Sequence, residues 1–210
     1  EMRKFILNFP LYAEVKKASL AFLKDSEVLP LKEEKKKIMM YGTSILQGAS
    51  ASRPGLAYAN ILSRRLNVEI LNYGFSGSAL NEIEISEILS KREVDLFIID
   101  TEANSGEGHL INRLEAFIKI FKKHQPNTKI IIVNRIPFLS DYYNKLSFDN
   151  KKKHEDFLLD YKEKHKDIIY VDVYSKLVDD LEITIDGVHP NDYGMMRLAE
   201  IFEKIIKKHL

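Results

Sequence analysis

Two polar segments near opposite ends of the chain carry the residue types of a hydrolytic site. Ser44 follows an apolar run, Ile38-Met39-Met40, at the start of a loop rich in glycine, serine and alanine. His189 lies in the segment Asp186-Gly187-Val188-His189-Pro190. A serine hydroxyl becomes a nucleophile when a base takes its proton, and a histidine oriented by an aspartate is such a base. These residues predict acyl transfer, with Ser44 as nucleophile, His189 as general base and Asp186 as its partner.

Acyl transfer also requires hydrogen-bond donors for the oxyanion of the tetrahedral intermediate. The candidates are the backbone N–H groups of Ser44 and Gly74 and the side-chain amide of Asn104. Gly74 lies in the segment Asn72-Tyr73-Gly74-Phe75-Ser76-Gly77 and would let the main chain approach a substrate closely. Asn104 follows the buried-type run 94–100. We expect these three groups to form the oxyanion hole.

Each of these residues also has a common structural role. A serine after a strand often caps a helix, glycines often form turns, and an asparagine often satisfies loop backbone. Asp186 and His189 would then be a turn aspartate and a surface histidine. Taken singly, the structural roles are favoured. Taken together, in strand-end order, they would require several coincidences.

The hydrophobic pattern alternates strand and helix from about residue 37 onward. It predicts five strands, at 38–41, 68–73, 94–100, 128–134 and 167–173. It predicts helices at 55–66, 80–89, 110–124, 148–165 and 192–209, with a short helix near 174–178. Such alternation favours a parallel sheet with right-handed crossovers and helices on both faces. Parallel strands all end at one edge, which would bring the four polar segments together.

Residues 1–34 differ in pattern from the predicted hydrolase domain, which we place at 35–210. The segments Phe5–Pro10 and Ser19–Leu23 are predicted as short strands, and Lys32–Lys37 as a solvated connector. Two strands do not make an independent domain. They would either pair with the main body or belong to a β-rich module upstream.

Composition restricts the classes of function. The chain has 210 residues and a formal net charge of +1, so no field favours nucleic acid. No apolar run is long enough to span a bilayer. It contains no cysteine, which excludes disulfides, thiolate metal sites and a cysteine nucleophile. We expect no cofactor and no metal, leave the oligomeric state open, and favour a periplasmic or secreted location over the cytoplasm.

The motifs resemble those of the SGNH hydrolases, also called GDSL-type esterases and lipases. The first family block is matched by Gly42-Thr43-Ser44-Ile45-Leu46-Gln47-Gly48, the second by residues 72–77, and the fourth by Asp186, His189 and Pro190. The resemblance implies a flavodoxin-like three-layer α/β/α fold with strand order 2-1-3-4-5. It also implies the roles given above to Ser44, His189, Asp186, Gly74 and Asn104.

The sequence departs from the family pattern at two places. Thr43 replaces the aspartate common before the nucleophile, and Glu102-Ala103-Asn104-Ser105 replaces the usual Gly-x-Asn-Asp. The stretch 41–60 resembles a bacterial branch in which a β-sandwich module precedes the hydrolase domain, so we expect residues 1–34 to be the remnant of that module with its linker. Similar two-module esterases deacylate carbohydrates, which favours a short acyl group such as acetyl on a sugar.

Several further residues have less specific signals. Arg53, Tyr142 and Tyr143 lie on loops expected to border the pocket and are candidates for binding the substrate's polar or sugar portion. Glu102 would tune His189 or face water. The run 151–154, Lys-Lys-Lys-His, is predicted as a solvated helix face.

Other classes remain as alternatives. A nucleotide-binding Rossmann domain would need Gly-x-Gly-x-x-Gly, and an α/β-hydrolase would need a glycine where Leu46 stands. A zinc hydrolase would need more ligands than Asp186 and His189. The non-enzymatic alternative is a carbohydrate-binding or scaffold protein on a decayed hydrolase fold, in which Ser44 and His189 would not lie within hydrogen-bond reach.

Overall fold

The fold is a five-stranded parallel sheet between two layers of helices. The computed structural model describes residues 3–29, 36–106 and 108–210. The strands are β1 (Lys37–Gly42), β2 (Glu69–Gly74), β3 (Leu96–Asp100), β4 (Lys129–Val133) and β5 (Ile168–Val171). They pair in the order β2-β1-β3-β4-β5, all parallel. This confirms the predicted three-layer α/β/α fold and its strand order.

The described ranges contain six α-helices, which flank the sheet. They are α1 (Ser44–Gln47), α2 (Tyr58–Leu66), α3 (Ile83–Leu89), α4 (His109–His124), α5 (Lys145–Lys164) and α6 (Asp192–His209). Short 3-10 turns occur at Pro54–Leu56, Glu102–Asn104, Leu139–Tyr142, Tyr174–Lys176 and Leu181–Ile183. The helix predicted at 55–66 is divided, because a 3-10 turn beginning with Pro54 precedes α2. None of the helices in the described residues is long and apolar enough to cross a membrane.

Successive side chains of β1 point to opposite faces of the sheet and contribute to two separate layers of the core. Ile38 and Met40 face one side of the sheet, where α2 and α6 pack, and the rings of Tyr58 and Phe202 stack with centroids 5.4 Å apart. Met39 and Tyr41 face the other side, with α4 and α5. The central strands are apolar on both faces because helices cover both.

The strand ends at the carboxyl edge are aligned by the register of pairing. Gly42 pairs with Gly74 of β2 and with Asp100 of β3. The loops that follow β1, β2 and β3 therefore begin at one level, side by side. This edge is where parallel α/β sheets bind their ligands.

The two strands predicted in the N-terminal region do not form. Residues 3–29 contain no strand, and apolar side chains of this segment, including Phe5 and Leu23, are exposed. A strand needs a partner for its backbone groups, and the main sheet ends at β2 and β5 without recruiting this segment. The connector predicted at 32–37 lies largely outside the described residues. The domain boundary and the β-sandwich origin of residues 1–34 stay predictions.

Candidate active site

Ser44 is the first residue of α1, directly after the turn that ends β1. Thr43 precedes it in extended conformation, and Ser44 is only 6% exposed. The N–H groups of a helix's first turn have no acceptor within the helix, so those of α1 are available to a ligand at the carboxyl edge. The Ser44 hydroxyl and these N–H groups therefore lie together at the N-terminus of α1.

His189 is held on a loop closed by backbone hydrogen bonds. Thr184 and Pro190 form an isolated antiparallel bridge, and the N–H of Ile185 donates to the carbonyl of His189. Just beyond, the Asn191 side chain caps α6 by accepting from the N–H of Gly194. We call residues 184–190 the acid–base loop, because it contains both Asp186 and His189.

His189 lies within hydrogen-bond distance of both Ser44 and Asp186, one on each ring nitrogen. Ser44 Oγ lies 2.9 Å from His189 Nε2, and His189 Nδ1 lies 2.7 Å from Asp186 Oδ2. The other carboxylate oxygen, Asp186 Oδ1, accepts from the N–H groups of Val188 at 2.9 Å and His189 at 2.7 Å. Both oxygens of Asp186 are engaged, so the carboxylate and the imidazole have fixed orientations.

The environment keeps Asp186 ionised. Burial alone would raise its pKa, but hydrogen bonds from the His189 N–H, the imidazole and the Val188 N–H lower the pKa to about 2. A negative Asp186 favours the tautomer in which Nδ1 carries the proton. In that tautomer Nε2 is free to accept the hydroxyl proton of Ser44.

Asn104 lies in the 3-10 turn Glu102–Asn104, which follows β3. In the sheet, β3 is the neighbour of β1. Its Nδ2 donates to the carbonyl of Ser78 at 2.8 Å, in the loop that follows β2. An amide nitrogen has two hydrogens, so one remains for a ligand. The bond to Ser78 also ties the loops after β2 and β3 together.

The N–H of Gly74 is not free to bind an oxyanion, contrary to the sequence-based expectation. It donates to Asn72 Oδ1 at 2.9 Å. A Cβ at Gly74 would lie 2.2 Å from the backbone nitrogen of Gln47, so this glycine allows α1 to approach β2. Sequence could not reveal either fact, since both depend on neighbours brought in by folding.

Gly77, three residues further on, has the properties that were expected of Gly74. Its φ is +69° and a Cβ there would meet no atom within 4 Å. The neighbouring N–H groups of Phe75, Ser76 and Ser78 donate to Gly42 O, Gln47 Oε1 and Phe75 O, respectively. Within the described part of the chain, the N–H of Gly77 has no acceptor. The second glycine of Asn72–Gly77 was the sequence signal for it.

The three predicted substrate-binding residues lie in different settings. Arg53 lies near Asp192 at the start of α6, whose pKa is lowered chiefly by hydrogen bonds from Ser52 and also by the charge of Arg53. The Tyr142 hydroxyl donates to the carbonyl of Val178, while Tyr143 is 76% exposed. No hydrogen bond joins them to Ser44, Asp186 or His189 among the described residues, so their role stays a prediction.

Two sequence-based expectations about charged residues are wrong. Glu102 does not face water or His189: it is 2% exposed and its Oε2 accepts from the N–H of Arg135 at 2.8 Å. The helix face at 151–154 is not fully solvated, because Lys151 and His154 are buried. The Lys151 ammonium packs 3.8 Å above the ring centroid of Tyr174, a contact made through tertiary structure.

Within residues 3–29, 36–106 and 108–210, no three His, Cys, Asp or Glu side chains lie close enough together to hold a metal ion. The chemistry that the site can perform with its own groups is proton transfer, nucleophilic attack by a hydroxyl and stabilisation of an oxyanion.

Comparison with known proteins identifies relatives of this chain. Residues 35–207 match the model of the GDSL-like lipase/acylhydrolase family. A solved structure described as a GDSL-like lipase from Bacteroides ovatus ATCC 8483 is 33% identical, with a TM-score of 0.78 over 85% of this chain. The chain spans about half of that protein's length, 54%. No curated protein sequence matches.

Two other solved structures share the fold at lower identity. A member of the lipolytic G-D-S-L family from Veillonella parvula DSM 2008 is 20% identical, with a TM-score of 0.68 over 82% of this chain and 98% of its own. A two-domain esterase active on acetylated mannans is 21% identical, with a TM-score of 0.63 over 84% of this chain and 49% of its own. With the family model matching most of its length, the chain belongs to the GDSL-like lipase/acylhydrolase family.

Proposed function

We propose that this protein is a serine ester hydrolase that acts through an acyl-enzyme, with Ser44, His189 and Asp186 as its catalytic triad. The observation that carries the proposal is the pair of contacts at His189, 2.9 Å from Ser44 Oγ and 2.7 Å from Asp186 Oδ2. A nucleophile, a base and an orienting acid within hydrogen-bond reach are the signature of covalent acyl transfer.

In the first half-reaction, Ser44 Oγ attacks the ester carbonyl while His189 Nε2 takes the hydroxyl proton. Asp186 stabilises the resulting imidazolium and keeps its orientation. When the tetrahedral intermediate collapses, the imidazolium returns the proton to the alcohol, which leaves. In the second half, His189 activates a water that attacks the acyl-enzyme, and the carboxylic acid is released with Ser44 restored.

The oxyanion would be bound by three donors: the N–H of Ser44, the Asn104 amide and the N–H of Gly77. The third replaces the Gly74 donor that we expected from sequence. Supporting this are the occupied N–H of Gly74 and the N–H of Gly77 that has no acceptor among the described residues. Donors held in place by the fold need no reorganisation when charge develops on the carbonyl oxygen.

For the substrate we propose a short acyl group, acetyl, esterified to a carbohydrate hydroxyl. The support is analogy with the two-domain esterase active on acetylated mannans, which shares the fold. The candidate sugar-binding residues are Arg53, Tyr142 and Tyr143, of which Tyr142 and Tyr143 expose aromatic surface. A panel of acetylated saccharides, compared with p-nitrophenyl esters of increasing acyl length, tests both parts of this assignment.

The activity itself is tested with p-nitrophenyl acetate and a serine-directed phosphonate probe. We expect turnover and labelling by the wild type, and loss of both in Ser44→Ala. Ser26→Ala, at an exposed serine of the N-terminal segment, is the matched control and should behave as the wild type. Equal hydrolysis by the wild type and Ser44→Ala would contradict the proposal. Saccharide binding without turnover or labelling would favour the decayed, non-catalytic alternative.

A further inference from the structure

Glu102, Arg135 and Asp141 form a buried cluster of ionisable side chains, beside which His154 Nδ1 lies 3.5 Å from Glu102 Oε1. The reaction proposed above has no role for this cluster. Glu102 begins the 3-10 turn that carries Asn104, Arg135 lies two residues after β4, and Asp141 lies in the 3-10 turn Leu139–Tyr142. Their exposed fractions are 2%, 6% and 8%, respectively. Charged groups this well buried are rare unless they are paired.

Arg135 joins the other two members of this cluster. Its guanidinium makes two hydrogen bonds to the Asp141 carboxylate, each 2.7 Å long. Its backbone N–H donates to Glu102 Oε2 at 2.8 Å, and its Nε lies 3.7 Å from Glu102 Oε1. The guanidinium carbon also packs 4.0 Å from the ring centroid of Phe138. A planar guanidinium that makes two parallel hydrogen bonds fixes both the orientation of the carboxylate and its distance.

The cluster reaches the candidate site at two ends. At one end, Glu102 is only two residues from Asn104 and belongs to the same turn. At the other end, Asp141 accepts from the N–H of Phe138 at 3.0 Å, and the next residue, Leu139, donates its N–H to the carbonyl of Gly187 at 2.8 Å. Gly187 stands between Asp186 and His189 in the acid–base loop.

We infer that Arg135 and Glu102 are positioning residues that set where the Asn104 amide stands relative to the acid–base loop. This inference rests on the proposed function. Arg135 holds the turn of Asn104 through Glu102 and the turn that supports Gly187 through Asp141. The oxyanion donor and the histidine are therefore placed by one side chain, although they come from loops 85 residues apart in sequence.

Stability alone does not account for such a cluster. Buried ion pairs lose hydration on folding and are often no more stabilising than apolar residues of the same volume. What they provide is a defined arrangement, and catalysis is sensitive to arrangement. A displacement of about 1 Å at a catalytic group costs on the order of a hundredfold in rate.

The first test is Arg135→Lys, which keeps the positive charge but cannot make the two parallel hydrogen bonds to Asp141. The matched control is Arg65→Lys, because Arg65 contacts Glu203 at 3.2 Å at the C-terminal end of α2, by the opposite edge of the sheet. We measure kcat for p-nitrophenyl acetate per site titrated with the phosphonate probe, which counts only folded, competent enzyme. We expect kcat to fall about tenfold or more in Arg135→Lys with KM within about twofold, and Arg65→Lys to match the wild type.

The second test is a double-mutant cycle with Asn104→Ala. If Arg135 acts through the Asn104 amide, Arg135→Lys will lower kcat much less in the Asn104→Ala background than in the wild type. Equal fold-losses in both backgrounds, or an unchanged kcat per titrated site in Arg135→Lys, would overturn the inference. Either result would do so while leaving the triad assignment intact.

Glu102→Gln serves if Arg135→Lys does not fold. It keeps an oxygen for the Arg135 N–H and leaves the Arg135–Asp141 pair in place. We expect a lower kcat per titrated site that again disappears in the Asn104→Ala background. Failure of the proposed function is recognised separately, because it would show as a wild type that neither hydrolyses the ester nor reacts with the probe.

Discussion

At the scale of single residues, two glycines three positions apart have different physical roles. Gly74 is required by packing, since a Cβ there would lie 2.2 Å from the Gln47 backbone nitrogen. Gly77 is favoured by its positive φ of +69°, with open space around it. A motif with two glycines does not say which is needed for close approach and which for backbone direction.

These two roles predict different costs for the same substitution. Gly74→Ala should lower the free energy of unfolding by several kcal/mol, because α1 must move away from β2. Gly77→Ala should cost only about 1–2 kcal/mol, the penalty of a left-handed backbone for a residue with a Cβ. Urea unfolding of both variants measures the difference. A Gly74→Ala variant as stable as the wild type would contradict the packing role.

Replacing Asn104 tests the oxyanion hole directly. Asn104→Ala removes one proposed donor and also the bond to the Ser78 carbonyl. We expect kcat to fall on the order of a hundredfold, because a donor aimed at the oxyanion is lost. The free energy of unfolding should fall by only about 1 kcal/mol, the usual net contribution of one hydrogen bond. An unchanged kcat in steady-state kinetics would remove Asn104 from the site.

The sequence pointed to the side chains that we propose as the reacting groups, but not to all of their surroundings. The spacing of Asp186 and His189 is local, so one loop can present both, and Ser44 follows a strand whose pattern is clear. The acceptor of the Gly74 N–H is a side chain whose rotamer is set by folding. The burial of Lys151 and His154 likewise depends on residues far away in sequence.

At the scale of elements, Gln47 connects α1 to two separate segments. Its Nε2 donates to the carbonyl of Leu11 at 2.9 Å, and its Oε1 accepts from the N–H of Ser76 at 2.9 Å. The first bond holds the N-terminal segment against α1. The second holds the loop that contains Gly77. The nitrogen of this amide thus makes a purely structural contact, whereas its oxygen makes a contact that supports the candidate site.

Two substitutions at Gln47 distinguish these contacts. Gln47→Glu keeps an oxygen for the Ser76 N–H but loses the donor to Leu11, so we expect a lower melting temperature with kcat within about threefold of the wild type. Gln47→Met loses both bonds and should also lower kcat, by about tenfold, because the Gly77 loop loosens. Thermal unfolding and kinetics with p-nitrophenyl acetate are compared. A kcat equally low in both variants would contradict this division.

Element boundaries also show where a sequence pattern suffices. The five strands and α6 were predictable because each is a buried run or an apolar stripe recognisable without its neighbours. The N-terminal segment carries similar apolar residues, yet it forms no strand. Strand formation depends on a partner edge, and hydrophobic pattern contains no information about whether one is offered.

At the scale of the whole molecule, a buried carboxyl makes stability depend on pH. Burial raises the pKa of Asp100 to about 7, the Tyr58 hydroxyl opposes this, and the charge of Glu102 adds to it. Unfolded aspartate ionises near pH 4. Between about pH 4 and pH 7 the folded state therefore holds a proton that the unfolded state has released, so stability falls as pH rises.

Asp100→Asn should remove most of that dependence, because asparagine keeps the oxygen that accepts from Tyr58 and cannot ionise. We expect the free energy of unfolding to gain more at pH 8 than at pH 4 relative to the wild type, by a difference of up to about 4 kcal/mol. Asp149→Asn, at an exposed position of α5, is the control. Parallel pH profiles for wild type and Asp100→Asn, measured by urea unfolding, would contradict the prediction.

The hydrogen bonds within residues 184–190 have an implication for how the family can diversify. Asp186 orients His189 using only groups of that short loop, with two main-chain N–H donors and the ring itself. The proposed orientation of His189 by Asp186 is thus set within one short loop, which Leu139 supports from outside by donating its N–H to the carbonyl of Gly187. New preferences for the acid or the alcohol would then arise from side chains on the loops after β2 and β3 that take no part in the proposed oxyanion hole, without changing the groups proposed to move the proton.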